Sequence, residues 1–298
     1  MKAVINTPEG TVIAEAGEPV PAPDEALVAV RAFSVNRGEL ALLQARTGGW
    51  RPGQDVAGVV VEAAADGSGP AAGTRVVALV EQAGWAERVA VPTGRLAVVP
   101  DEVGLEQAAA LPLAGLTALR TLRKGGDLLG RRVMITGANG GVGRFQVELA
   151  ALGGAAVTAV ARQAGELLAL GAHDAVGAPG EAAEPYHLIV ESVGGASLAA
   201  ALHKVAPGGT IMLIGASSGE KTPIDIYDFI GHEGARIVSY LSYAHPEPPA
   251  ADLEVLAGLV AAGRLHPTLG LVDDWSKLPD ALAALRERRV SGKVVLTL

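Results

Sequence analysis

The chain has 298 residues, of which 49% are hydrophobic and only 3% aromatic, and its 32 acidic and 24 basic side chains leave a net charge of −8. It has no cysteine, which excludes disulfides, thiolate catalysis and cysteine-based metal sites. No basic run or stripe marks a nucleic-acid partner. Charge-free apolar runs stay below about 18 residues and the N-terminus has no apolar core, so neither a membrane span nor a secretory signal is expected; a cytoplasmic protein is.

In chain order, the first hundred residues are β-rich. Short β-branched runs at 26–32, 56–62, 75–80 and 86–91 alternate with Gly and Pro punctuation; 29–35 also reads as strand, and 36–45 fits one short helix. The texture changes near residue 105. Residues 105–122 predict a helix broken at Pro112 and Gly115. A regular alternation follows: strand 133–136, helix 143–152, strand 156–161, helix 164–170, a weak strand at 175–176, strand 188–193, helix 198–205, then strands 210–215 and 237–240. Such alternation predicts a parallel sheet covered on both faces, with ligands at the carboxyl ends of its strands. A Pro-rich passage (His245, Pro246, Pro248, Pro249) leads to helix 250–262, strand 268–272, helix 276–289 and strand 293–298. The last strand has no partner in a finished doubly wound sheet and is expected to return to the N-terminal β unit.

The most informative stretch is Gly137, Ala138, Asn139, Gly140, Gly141, Val142 and Gly143, between an apolar strand and a helix. Such a turn brings backbone N–H groups to a diphosphate at a helix N-terminus. Ala138-x-Gly140-x-x-Gly143 fits the dinucleotide fingerprint, with alanine in the first glycine slot. An acidic residue at the end of the second strand would bind a ribose 2′-OH; here that strand runs into Arg162 and Gln163. Arginine suits bidentate phosphate contact, so NADP(H) is the expected cofactor, against the alternative that Arg162 is a solvated strand-end residue. Ser192, Val193 and Gly194 end another strand on this edge and are expected near the adenosine.

Three patterns point elsewhere. Residues 136–143 also spell the short-chain dehydrogenase turn, but no tyrosine has a lysine four residues on. Gly215-Ala216-Ser217-Ser218-Gly219 matches the hydrolase nucleophile elbow, but a loop-like Glu-Lys-Thr-Pro follows instead of a helix. Gly231-His232-Glu233 lacks any H-x-x-x-H spacing, and the six histidines read as surface or capping residues.

Five segments, in order, resemble motifs of the medium-chain dehydrogenase/reductase superfamily, and within it the zinc-independent quinone oxidoreductases. They are 34–40 (SVNRGEL), 52–60 (PGQDVAGVV), 111–119 (LPLAGLTAL), 137–143 (GANGGVG) and 291–296 (SGKVVL). The resemblance spans essentially the whole chain. It implies a Rossmann doubly wound parallel sheet (115–245) inserted into a GroES-like β-rich substrate domain (1–114, completed by 246–298), with the active site in the family's cleft, and a homodimer, often joined through Rossmann edge strands. Zinc-dependent relatives carry Gly-His-Glu where this chain has Gly53-Gln54-Asp55, and their cysteine ligands are absent, so no zinc is expected.

Without a Lewis acid, an acceptor already polarised by conjugation is the fitting substrate. The resemblance therefore implies hydride transfer from NADPH to a quinone or an α,β-unsaturated carbonyl, with the proton from solvent. An enoyl reductase of a polyketide or acyl thioester intermediate, and a non-catalytic NADP(H)-binding sensor or scaffold, are the alternatives. By the same resemblance Asn36 and Thr117 face the nicotinamide and substrate, and serve as the catalytic candidates. Gly215, Ala216, Ser217, Tyr240 and Leu241 border the nicotinamide end, with Tyr240 also a substrate contact, and Lys293 reaches the cofactor's phosphate region. Trp50 stacks on a planar substrate or is a packing residue. Two departures stand out: Leu40, Ala41 and Leu42 replace tyrosines of several relatives, and Ala178 replaces a tyrosine that some place beside the 2′-phosphate.

Overall fold

The computed structural model describes residues 1–163, 165–183, 185–244 and 247–298. The chain forms two compact units, Met1–Leu116 with Pro246–Leu298, and Thr117–His245. The boundary expected after residue 114 thus falls two residues later, while the one expected at His245 and Pro246 lies outside the described residues.

The first unit opens with β1 (Lys2–Thr7), β2 (Gly10–Glu15), β3 (Glu25–Val35), α1 (Arg37–Ala45) and β4 (Asp55–Glu62). It continues through β5 (Arg75–Leu79), β6 (Arg88–Pro92), β7 (Leu96–Val98) and α2 (Leu105–Ala109) to α3 (Pro112–Lys124), on which the unit boundary falls. In the C-terminal segment it adds α7 (Ala250–Ala261), β14 (Leu269–Asp274), α8 (Leu278–Arg286) and β15 (Lys293–Thr297). β1 and β2 make a hairpin, and a seven-stranded sheet runs β14-β15-β3-β4-β5-β7, with β6 also paired to β3. β3 buries alternate residues along its first half, as a strand with one face on a core must. That core centres on Val28, Val30, Phe33, Val56, Val76 and Trp85, with Trp85 stacked on Phe33 at 5.6 Å between ring centroids. Gly53 holds φ +112°, and a Cβ there would lie 2.3 Å from the Trp85 backbone nitrogen, so the Pro-Gly turn into β4 tolerates no side chain. The final strand does return to the N-terminal sheet: β15 pairs antiparallel with β3, Val295 opposite Ser34.

The second unit contains β8 (Arg132–Thr136), α4 (Gly141–Leu152), β9 (Ala156–Val160), α5 (Gly165–Ala169), β10 (Asp174–Val176), β11 (Tyr186–Glu191), α6 (Gly195–Leu202), β12 (Val205–Leu213) and β13 (Arg236–Ser239). The six strands are parallel throughout and ordered β10-β9-β8-β11-β12-β13. This is the doubly wound 3-2-1-4-5-6 order. Met134, Ile135, Ile189 and Ile211 are fully buried, as strands covered on both faces require. In this order the winding reverses between β8 and β11, which lie side by side, and their carboxyl ends are where such a sheet binds ligands.

Some expected elements move. The break expected at Pro112 is present, since α2 ends at Ala109 and α3 starts at Pro112, where a first-turn proline gives up no helical hydrogen bond, but Gly115 lies within α3 and does not interrupt it. The helix expected at 198–205 runs Gly195–Leu202, and Val205 already starts β12, whose pairing with β11 shifts register across Pro207–Gly209. The helix expected at 276–289 is a 3₁₀ turn (Trp275–Lys277) followed by α8. Ala164, the expected start of α5, lies outside the described residues. The β1–β2 hairpin and β7 were not expected.

Candidate functional site

In the second unit, the ends of β8 and β11 are knotted by hydrogen bonds. Thr136 Oγ1 donates to Glu191 Oε1 (3.0 Å) and accepts from the Ser192 N–H (3.0 Å), while Ser192 Oγ donates to the Thr136 carbonyl (2.9 Å). Glu191 is fully buried and also accepts from the N–H groups of Val193 (3.2 Å) and Gly194 (2.9 Å) and from Ser197 Oγ (2.9 Å). Donors on every side satisfy a buried carboxylate, and the result is a fixed floor at the switch point. Glu191 lies in the expected strand 188–193, but its anchoring role needs Thr136, 55 residues away, which no local pattern announces.

The glycine turn rests on this floor. Gly137 has φ +61°, and Gly140 caps α4 with no side-chain acceptor on its first turn. At Gly143 a Cβ would stand 2.5 Å from the Gly137 carbonyl oxygen and 2.7 Å from Ala138 Cα, so only glycine lets the helix meet the turn this closely. Ala138 is fully buried and its N–H donates to the Val160 carbonyl at the end of β9 (3.1 Å). The turn therefore offers backbone donors at a helix N-terminus, in a cradle kept free of side chains, as a dinucleotide diphosphate requires.

Asn139 ties the turn sideways: its Nδ2 donates to the Gln163 carbonyl and its Oδ1 accepts from Arg144 Nη2 (3.1 Å). Arg162, one residue before Gln163, is exposed. Across the sheet, the Ser217 N–H donates to the Ser192 carbonyl (3.0 Å) and Ser218 N–H to Val193 O (2.8 Å), so Gly215, Ala216 and Ser217 lie over 192–194. Tyr240 is buried and its N–H bonds to Leu213 O (2.8 Å), whereas Leu241 is half exposed. Thr117 is buried, its carbonyl accepting from Thr121 Oγ1 (2.6 Å). Gln146 Nε2 donates to the same Thr121 hydroxyl (3.1 Å).

The first unit holds a buried charge cluster that joins four of the five motif segments. Fully buried Asp55 accepts at Oδ2 from Ser34 Oγ (2.6 Å), Asn36 Nδ2 (2.8 Å) and Lys293 Nζ (3.2 Å), and at Oδ1 from the Leu113 N–H (2.9 Å). Lys293 Nζ also donates to Asn36 Oδ1 (2.5 Å), so both ends of the Asn36 amide are engaged. Lys293 is 3% exposed. Its ammonium is committed to Asn36 and Asp55, which argues against the expected reach to a cofactor phosphate. Glu39, at the start of α1, accepts from the N–H groups of Asn36 (2.8 Å) and Gln54 (3.0 Å). Burial, then the neighbouring Asp55 charge, raise its pKa to about 8, against the pull of those two N–H bonds and Lys293. Trp50 is half buried, with Nε1 donating to Gln82 Oε1 (2.8 Å) and the Arg46 guanidinium 5.3 Å from its ring centroid. One face of the indole is thus taken by a cation–π contact.

Comparison with known proteins places this geometry. Residues 22–101 match the alcohol dehydrogenase GroES-like domain family and residues 170–296 the zinc-binding dehydrogenase family. The chain is 31% identical over 264 residues to the chloroplast envelope quinone oxidoreductase homolog of Arabidopsis thaliana, covering 82% of this chain and 79% of that protein. It is 35% identical over 301 residues to the spectinabilin polyketide synthase system protein NorB of Streptomyces orinoci, covering 95% of this chain but only 14% of NorB. In fold it matches a thermostable alcohol dehydrogenase from Pyrobaculum aerophilum (TM-score 0.88, 25% identity, 100% of this chain and 99% of that one). It also matches the Escherichia coli quinone oxidoreductase complexed with NADPH (TM-score 0.89, 20% identity, 100% of both chains). With a parallel sheet wound about a glycine cradle, a GroES-like unit built from both ends of the chain, and a quinone oxidoreductase homolog aligned over most of its length, this chain belongs to the quinone oxidoreductase family of the medium-chain dehydrogenase/reductase superfamily.

Proposed function

We propose that this oxidoreductase uses NADPH, without zinc, to reduce a quinone or an α,β-unsaturated carbonyl. The observation that carries the reading is the glycine cradle at the β8–β11 switch point, with exposed Arg162 at the end of β9. The turn 137–143 would take the diphosphate, Arg162 the 2′-phosphate, 192–194 the adenosine side, and 215–217 with Tyr240 and Leu241 the nicotinamide end. When bound, NADPH supplies the hydride; the chain's part is to orient the reactants and exclude water. Asn36, locked by Asp55 and Lys293, keeps its proposed place beside the nicotinamide, as does Thr117, and Trp50 its proposed place beside the substrate. Zinc independence rests on residue chemistry: Gln54 stands in the position of the expected histidine ligand, the chain has no cysteine, and both Glu39 and Asp55 are already engaged by internal donors.

Arg162→Ala tests the cofactor: NADPH binding should weaken by at least about tenfold, as loss of a charge-assisted phosphate contact does, with NADH little changed. Equal losses for both would refute it. NADPH oxidation against quinones, enones, enals and enoyl thioesters tests the substrate. The resemblance to a segment of NorB favours, as a second reading, reduction of an enoyl intermediate; turnover with enoyl thioesters alone would select it. Tight NADPH binding without turnover on any acceptor would leave a sensor or scaffold. The protein is proposed to act as a homodimer, consistent with a sheet whose last strand, β13, pairs only with β12 among the described residues.

A further inference from the structure

Arg144 follows the last glycine of the cradle, in the first turn of α4, and is 5% exposed. Its Nη2 lies 3.1 Å from Asn139 Oδ1 and 2.5 Å from Glu166 Oε2. Asn139 in turn donates to the Gln163 carbonyl, next to Arg162. Glu166, whose side chain is 77% exposed, thus sits on the residues that tie the glycine turn to the end of β9. An acidic side chain in this region of a dinucleotide fold selects a ribose 2′-OH. In sequence Glu166 lies beyond the strand end and is silent; the fold brings it back.

Two opposite demands therefore meet here. Arg162 offers a positive charge to a 2′-phosphate, and Glu166 offers a negative one. A free carboxylate within a Debye length, about 8 Å at physiological salt, repels a phosphate. We infer that Arg144 is a specificity-determining residue, the counter-charge that keeps Glu166 from repelling a 2′-phosphate at the end of β9; this rests on the NADPH reading above. Arg144 suits the task because its planar guanidinium fork, buried between Asn139 and Glu166, is held in place.

The test uses the full chain and two probes that differ only in the 2′-phosphate, adenosine 2′,5′-bisphosphate and 5′-AMP, titrated by calorimetry. Arg144→Met should lower the ratio of their affinities by roughly five- to tenfold, the scale of a screened charge pair beside a dianion. Adding Glu166→Gln to that variant should bring the ratio back to near wild type. Glu166→Gln alone should raise the ratio by about two- to threefold, through the same screened repulsion, with 5′-AMP affinity unmoved. If Arg144 and Glu166 only brace the loop, Glu166→Gln alone lowers the ratio or leaves it unchanged, and the double variant does not recover; either result overturns the inference. Should Arg144→Met fail to fold, Glu166→Gln decides alone, since its carboxylate is on the surface. A wild-type ratio near one would instead refute the NADPH reading itself.

Discussion

Glu39 departs far from its ordinary chemistry. Its pKa is raised from 4.5 to about 8, first by burial and then by Asp55. A folded-state pKa above the unfolded one means that its contribution to stability is full below about pH 4.5 and is lost as pH rises through about 8. In Glu39→Gln one of the two backbone donors, Asn36 or Gln54, meets an amide NH₂, so the variant should be less stable by about 1–3 kcal/mol in acid. The gap to wild type should narrow as the pH approaches 9, because only the wild type has a carboxyl group to ionise there. Urea denaturation between pH 4 and 9 checks this, and parallel profiles for the two proteins would refute it. The motif residues of this cluster were visible in the sequence, but their use was not. The family resemblance assigned Lys293 to the cofactor's phosphate region, and nothing local announces its partner Asn36, 257 residues away. Only chain return through β15 makes its ammonium an internal counter-charge.

At the scale of elements, the strand–turn–helix at 132–152 was legible because its signals are local: an apolar run, glycines at fixed spacing, then a helix. The contact that makes Gly143 obligatory is just as local, so its consequence is sharp. Gly143→Ala sets a Cβ 2.5 Å from a backbone oxygen that cannot swing aside. The helix must shift, at a cost of about 1–3 kcal/mol, and the cradle opens. Thermal melting and NADPH titration should show lowered stability and affinity weakened at least about tenfold, a loss of about 1.4 kcal/mol. Retained affinity would mean the turn does not hold the diphosphate. Boundaries were read less well where glycine and proline carry two meanings. Pro112 marks both the break after α2 and the start of α3, whereas Gly115 sits inside α3 without interrupting it, and the alanines and leucines of 195–205 do not mark where α6 ends and β12 begins.

At the scale of the molecule, β13 leaves one edge of the parallel sheet unpaired among the described residues, and an open edge invites another strand. Ile226, Tyr227, Ile230 and Tyr243, in the segments flanking β13, are each more than 70% exposed. Such exposed apolar side chains in the segments next to an open strand edge suit the proposed dimer, in which a second copy would offer the same strand for antiparallel pairing. Sedimentation should therefore give a dimer, and Tyr227→Asp with Ile230→Asp a monomer; a wild-type monomer at micromolar concentration would refute the assembly. Among the described residues no helix is long and apolar enough to cross a membrane. The sequence by itself determined the alternation of strands and helices, the glycine cradle and the lack of cysteine ligands, because periodicity, turn chemistry and composition act over a few residues, while the two-unit plan came from the resemblance of its five motif segments. Only the tertiary structure decided that Lys293 neutralises Asp55, that Glu191 anchors the switch point and that Arg144 meets Glu166. Those pairings join residues tens to hundreds of positions apart, and charges are partnered by distance in space, which chain order does not encode.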